Sequence, residues 1–116
     1  MTYKMNLHPE PFELIKSGFK DVEMRLYDER RKPIKIGDHI EFMNNVTSEI
    51  IVCKVTNLLK FKTFVELYNH YPKERLGYKI NEIANSDDML QYYTKEQIDQ
   101  HGVLAIEIKR VDLGAH

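Results

Sequence analysis

The segment 18–25 places two cations, Lys20 and Arg25, and the carboxylate of Glu23 shortly after Gly18. If residues 20–27 form a strand, side chains two positions apart share a face, so Glu23 and Arg25 are neighbours and Lys20 can bend toward them. Such a cluster can hold an anion, a carbonyl or the polar edge of a base. The same spacing also fits the solvent-exposed face of an amphipathic strand, with Gly18 serving only as a helix cap. Spacing alone leaves both interpretations open.

The charge balance limits what such a site binds. The 116 residues carry 17 lysines and arginines against 18 aspartates and glutamates, for a net charge of −1. A long duplex DNA footprint is therefore not expected, because proteins that neutralise many phosphates are strongly basic. The local basic run Arg30-Arg31-Lys32 follows the charged segment, and Arg30 is a candidate for contact with a phosphate backbone.

Other kinds of site lack the residues they need. The five histidines are scattered without ligand spacing and Cys53 is the single cysteine, so neither a metal site nor a cofactor is expected. The sequence has no nucleophile elbow and no phosphate-cradling glycine loop. Tyr78, together with Tyr92 and Tyr93, is a candidate for stacking on a base, as aromatic residues do in readers of single-stranded RNA.

The elements that must position these residues follow from hydrophobic periodicity. Strands are predicted over residues 3–7, 20–27, 39–43, 50–59 and 103–111, and helices over 10–17 and 63–71, with short helices starting at Ser86 and Thr94. The strands at 39–43 and 50–59 are close enough to form a hairpin. This order lacks a regular βαβ alternation and predicts an α+β fold with a small mixed, curled sheet or barrel.

The chain length fits one domain, predicted over residues 1–111 with a loose tail at 112–116. No stretch approaches the roughly 20 apolar residues that span a bilayer, and the first residues lack the apolar run of a signal peptide. A cytoplasmic protein without a membrane partner is therefore expected.

The pattern G-x-K-x-x-E-x-R, formed by Gly18, Lys20, Glu23 and Arg25, resembles the signature of the ASCH domain, a branch of the PUA-like superfamily. The resemblance covers nearly the whole chain, because the lead-in helix at 10–17, the Ile36-Gly37-Asp38 turn, the helix at 64–67 and the closing strand at 102–107 stand in the expected order. It implies a PUA-like mixed β-barrel of five or six strands flanked by short helices. It also implies a cleft beside the motif that binds RNA or a nucleotide-like ligand.

The same resemblance implies an enzymatic alternative. Some small bacterial members of the family are similar to an amidohydrolase that removes the acetyl group from N(4)-acetylcytidine with a lysine, a threonine and a glutamate. Lys20 falls on the lysine, Glu23 stands where that hydrolase has its threonine, and Glu74 is a counterpart of the glutamate. A hydrolase of an acetylated cytidine-type nucleoside, or a nuclease, would use these three residues in catalysis. The third hypothesis is a non-catalytic protein-interaction module in which the charged strand is only part of the protein surface.

Overall fold

A computed structural model describes residues 1–112, so the predicted tail lies outside the described residues except for Asp112. In chain order the elements are β1 (Thr2–Leu7), α1 (Pro9–Lys16), β2 (Val22–Leu26), β3 (His39–Asn44), β4 (Ile50–Phe61), α2 (Phe64–His70), a first 3₁₀ helix (Lys73–Leu76), a second 3₁₀ helix (Ser86–Gln91), α3 (Lys95–His101) and β5 (Val103–Arg110). Asp112 accepts a hydrogen bond from the backbone N–H of Val52 at 3.0 Å and pairs with Arg110 at 2.6 Å.

The five strands form one mixed sheet in the order β1-β3-β4-β5-β2. The pairing of β1 with β3 is parallel and the other three pairings are antiparallel, including the predicted β3–β4 hairpin. The register of β4 against β5 shifts between Val55 and Asn57, and such a bulge bends a strand and increases its twist. The sheet curls at this long strand into a half-barrel, which confirms the predicted α+β fold with a curled mixed sheet.

Two separate groups of apolar side chains pack against the sheet, one on each face. The inner core lies in the concavity of the sheet and includes Phe42, Ile106 and Phe12 of α1. The outer core lies between the sheet and the remaining helices and includes Val22 and Leu67. Because β2 lies between these two cores, neither of its faces is open to bulk solvent over most of its length.

Helices α2 and α3 begin where the sequence predicts capping residues. The Thr63 hydroxyl accepts the backbone N–H of Glu66 at the start of α2, and Thr94 and Gln97 form a complete capping box at the start of α3. Within residues 1–112 no helix has both the length and the apolar character that crossing a membrane requires.

Candidate ligand-binding site

A tight turn between α1 and β2 positions Lys20. Gly18 follows the end of α1 with φ +86°, a left-handed conformation that glycine adopts without the steric penalty of a Cβ atom. Its N–H donates to the carbonyl of Ile15, and the N–H of Lys20 donates to the carbonyl of Leu14, both at 3.0 Å. Gly18 therefore caps the helix and turns the chain into β2.

Glu23 forms a buried ion cluster with the two cations of the motif. Its Oε1 atom lies 3.3 Å from Lys20 Nζ and its Oε2 atom accepts Arg25 Nε at 2.7 Å. Only 4% of Glu23 and 8% of Lys20 is exposed, so the solvent-exposed interpretation of these residues is wrong. The physical reason is the sheet pairing, which sets Glu23 opposite Ile106 and thus on the face that carries the inner core.

The ion cluster keeps Glu23 ionised. Burial alone would raise the pKa of this carboxyl, but the positive charges of Lys20 and Arg25 outweigh it and hold the pKa below its ordinary value. Burial likewise acts to lower the pKa of Arg25, and the Glu23 carboxylate outweighs it and raises that pKa. Since both oxygens of Glu23 are occupied and its basicity is reduced, the carboxylate is better suited to fixing two cations than to accepting a proton.

Arg25 also connects the two edges of the curled sheet. Its Nη2 atom donates to the backbone carbonyl of Asn6 at 3.1 Å. Asn6 belongs to β1 and Arg25 to β2, and these are the two edge strands of the sheet. The guanidinium therefore bridges the seam where the half-barrel would otherwise be open.

A cavity of about 380 Å³ lies at this seam. Its volume is within the range of about 300 to 1,000 Å³ that is usual for small-molecule sites. Among residues 1–112, four cationic side chains line it, Lys20, Arg25, Arg30 and Arg31, against the single carboxylate of Glu23. The lining is therefore positively charged and suited to an anionic or carbonyl-bearing ligand.

The remaining lining is aromatic and apolar. Tyr92, Tyr93 and His8 contribute rings, with the centroids of His8 and Tyr92 6.1 Å apart. Tyr93 stacks on Phe64 at 6.2 Å, which fixes its ring against α2. The cavity is completed by Asn6, Leu7, Pro11, Met24, Asn45 and Met89. The cavity can therefore accommodate a ligand that has both a flat, partly apolar group and an anionic group.

Three predicted site residues, Gly18, Tyr78 and Glu74, do not line the cavity. The Tyr78 hydroxyl donates to Asp88 Oδ2 at 2.6 Å and lies 2.9 Å from the hydroxyl of Tyr68, so it belongs to a hydrogen-bond network beside the second 3₁₀ helix. Glu74 lies in the first 3₁₀ helix and does not line the cavity. Within residues 1–112 no three histidine, cysteine, aspartate or glutamate side chains come together as metal ligands would.

Gly77 supports Lys20 from the opposite side, a role that no sequence pattern indicated. It follows the first 3₁₀ helix with φ +104°, and a Cβ atom at this position would lie 3.2 Å from Lys20 Cδ. The helix is held against the start of β2 because Arg75 Nε bonds Asp21 Oδ1 at 2.8 Å and the N–H of Asp21 donates to the carbonyl of Arg75 at 3.2 Å. Gly77 therefore lets the backbone pack directly on the Lys20 stem.

Substitution of Gly77 by alanine is expected to destabilise the protein and disturb Lys20. The left-handed conformation alone costs alanine about 1 kcal/mol, and the contact with Lys20 adds to that cost. Gly37→Ala is a matched control, because its φ is +97° and its added Cβ would meet no atom within 4 Å. Urea unfolding should give a loss of about 2 kcal/mol for Gly77→Ala and about half of that for Gly37→Ala. Equal losses would show that the Lys20 contact does not matter.

Comparison with protein families identifies the chain. The family model of the ASCH domain matches residues 5–112. The chain belongs to the ASCH domain family. The family predicted from the motif is therefore confirmed, and with it the PUA-like character of the curled sheet.

This ASCH domain is similar to several solved structures. The crystal structure of hypothetical protein PH0355 shares 32% identity and a TM-score of 0.80, over 96% of this chain and 100% of that chain. Protein PF0455 from Pyrococcus furiosus, solved by NMR, shares 31% identity and a TM-score of 0.69, over 97% and 99% of the two chains. ASCH from Zymomonas mobilis, at 17% identity and a TM-score of 0.62 over 95% and 72% of the chains, shows the common fold. A comparison with curated proteins gives no match.

Proposed function

We propose that this ASCH domain binds RNA or a nucleotide-like ligand, with one nucleotide unit held in the cavity at the β1–β2 seam. One observation carries the proposal: four cations and an aromatic wall line the same cavity. A nucleotide combines a flat base with an anionic phosphate, so it matches both parts of this lining.

Each part of the lining has a role in the proposal. The base lies against Tyr92 and Tyr93, since base–aromatic stacking is sequence-tolerant and contributes about 1–3 kcal/mol per base. Lys20 and Arg25 hold a phosphate or a carbonyl edge from the buried end of the cavity. Arg30 is exposed on the loop after β2 and contacts the phosphate from the rim. Glu23 keeps the two buried cations in place through its two hydrogen-bonded oxygens.

The geometry favours binding over hydrolysis. A hydrolase would need a base near its substrate, whereas the Glu23 carboxylate has a lowered pKa and two cationic partners. Glu74, the other candidate base, is outside the cavity lining. The hypothesis of a protein-interaction module requires Lys20 and Glu23 to lie on an open surface. Both side chains are buried, which weighs against this hypothesis.

A thermal-shift screen of the wild type and Lys20→Ala tests the proposal. The ligands are nucleosides, N(4)-acetylcytidine, nucleoside monophosphates and short single-stranded RNAs. A true ligand at a hundred times its Kd stabilises the wild type by about 2.7 kcal/mol, and this gain should largely disappear in Lys20→Ala. Lys54→Ala, an exposed lysine of β4, is the matched control and should behave as wild type.

The outcomes separate the three functions. No stabilisation of the wild type by any of these ligands at millimolar concentration would overturn the proposal and favour the interaction module. Release of cytidine and acetate from N(4)-acetylcytidine, lost in Lys20→Ala, would replace binding with hydrolysis as the function of the cavity.

A further inference from the structure

A second basic feature adjoins the cavity, built on the ring of Tyr27. Tyr27 directly follows β2, and its N–H donates to the carbonyl of Gly102 at 3.0 Å. Lys60 Nζ lies 4.8 Å and Lys32 Nζ 5.8 Å from the centroid of its ring, both within cation–π range. Tyr27, Lys32 and Lys60 together form the Tyr27 surface.

One loop, residues 28–34, joins the Tyr27 surface to the cavity. Arg30 and Arg31 of this loop line the cavity, and Lys32 is the next residue along the chain. The loop is firmly held, because Arg31 Nη1 bonds Asp28 Oδ2 at 2.7 Å and the N–H groups of Arg31 and Lys32 both donate to the carbonyl of Asp28 at 3.0 Å. Ile34 anchors its far end in the inner core. The consecutive cations Arg30, Arg31 and Lys32 therefore connect the cavity lining with the Tyr27 surface along the chain.

Three of these cations, Arg30, Lys32 and Lys60, are exposed and available to a ligand. Among residues 1–112 neither Arg30 nor Lys60 has an ion-pair partner, and Lys32 pairs only with Glu29, whose side chain is 84% exposed. An exposed pair of this kind is weak and is readily exchanged for another anion. A phosphate placed beside the Tyr27 ring would interact favourably with both ammonium groups.

We propose that the ligand is a single-stranded nucleic acid. One of its nucleotides occupies the cavity, and the Tyr27 surface binds the backbone phosphates of the neighbouring nucleotides. The ligand is thereby a polymer, and its strand leaves the cavity past Arg30 and crosses Lys32 and Lys60. This inference rests on the proposed function of the cavity. It adds that affinity for an oligonucleotide exceeds affinity for a mononucleotide, because each further phosphate contact releases counterions.

The test compares two double variants of equal charge. Lys32→Gln/Lys60→Gln removes the Tyr27 surface, and Lys54→Gln/Lys109→Gln removes two exposed lysines that face each other across β4 and β5. The affinity of a single-stranded RNA hexamer is measured at several salt concentrations, and that of a nucleoside monophosphate is measured alongside. Loss of two phosphate contacts should reduce the slope of log affinity against log salt concentration, the salt slope, by about 1.4. It should also lower the affinity for the hexamer on the order of 25-fold at 0.1 M salt. Mononucleotide affinity should not change, and the control variant should match the wild type.

Each failure has a distinct signature. Unchanged hexamer affinity and salt slope in Lys32→Gln/Lys60→Gln would overturn the Tyr27 surface while leaving mononucleotide binding in the cavity intact. Absence of mononucleotide binding to the wild type, with hexamer affinity still reduced in this variant alone, would support the surface and refute the cavity as the nucleotide site. A hexamer that binds the wild type no more tightly than the mononucleotide would also overturn the inference.

Discussion

Replacement of Glu23 by glutamine is expected to lower the free energy of unfolding by about 3 kcal/mol at pH 7, because removal of one member of a buried ion pair leaves its partners uncompensated. Lys20 and Arg25 both lose their counter-ion, and both are largely shielded from water. A loss of this size is tolerable in a domain of ordinary stability, so the variant should still fold. Urea unfolding of the two proteins measures the difference.

The same substitution should remove part of the acid sensitivity. The pKa of Glu23 lies below its ordinary value of 4.5 in the folded protein, so its ionised form stabilises the fold. This contribution is complete above about pH 5.5 and is lost as the pH falls through the folded-state pKa. The stability difference between wild type and Glu23→Gln should therefore be constant at neutral pH and shrink in acid.

Glu29→Gln is the control for this prediction, because Glu29 also pairs with a lysine but is exposed. It should leave the free energy of unfolding unchanged within error, since exposed pairs contribute little. A Glu23→Gln protein as stable as the wild type at every pH would contradict the buried ion cluster.

Arg25→Ala is expected to reduce nucleotide affinity on the order of a hundredfold, with little effect on secondary structure. Truncation of a buried, hydrogen-bonded charge at a binding site costs about 2–5 kcal/mol, most of it in faster dissociation. Arg25 touches the cavity, Glu23 and the Asn6 carbonyl at once, so its loss also opens the seam. Calorimetric titration with a nucleoside monophosphate gives the affinity, and circular dichroism checks the fold.

Arg30→Ala is the comparison for Arg25→Ala, because both residues line the same cavity. Arg30 is exposed at the rim, and rim charges act mainly on association rate and salt dependence. A loss of tenfold or less is expected for it. If Arg30→Ala weakened binding more than Arg25→Ala, the phosphate would be held at the rim and not at the seam.

Local patterns predicted most of the fold. Alternation at Val22 and Met24 indicated β2, and the threonines at 63 and 94 marked the starts of α2 and α3. The family motif then named the three residues of the ion cluster. These predictions were within reach because each depends on residues that are neighbours along the chain.

The burial of side chains and the contacts between distant segments could not be predicted from such local patterns. Alternation shows that Glu23 faces away from Val22, but only the curled sheet with α1 at its end shows that this second face is also buried. His8 and Gly77 meet the site from segments far from the motif, and neither stands in a recognisable pattern. Tyr78 was indistinguishable in type from Tyr92 and Tyr93, and its contacts with Tyr68 and Asp88 decide its place.

Binding of a nucleotide in the cavity at the β1–β2 seam is open to direct measurement. The most direct measurement is a ¹H–¹⁵N NMR titration of the wild type with each of the four nucleoside 5′-monophosphates. If a nucleotide binds at this seam, shift changes should concentrate on Lys20, Glu23, Arg25, Tyr92 and Tyr93 and be absent from residues around the smaller depression of about 180 Å³ beside Thr63 and Ile98. Changes confined to that depression, or no changes with any nucleotide at millimolar concentration, would contradict binding at the seam.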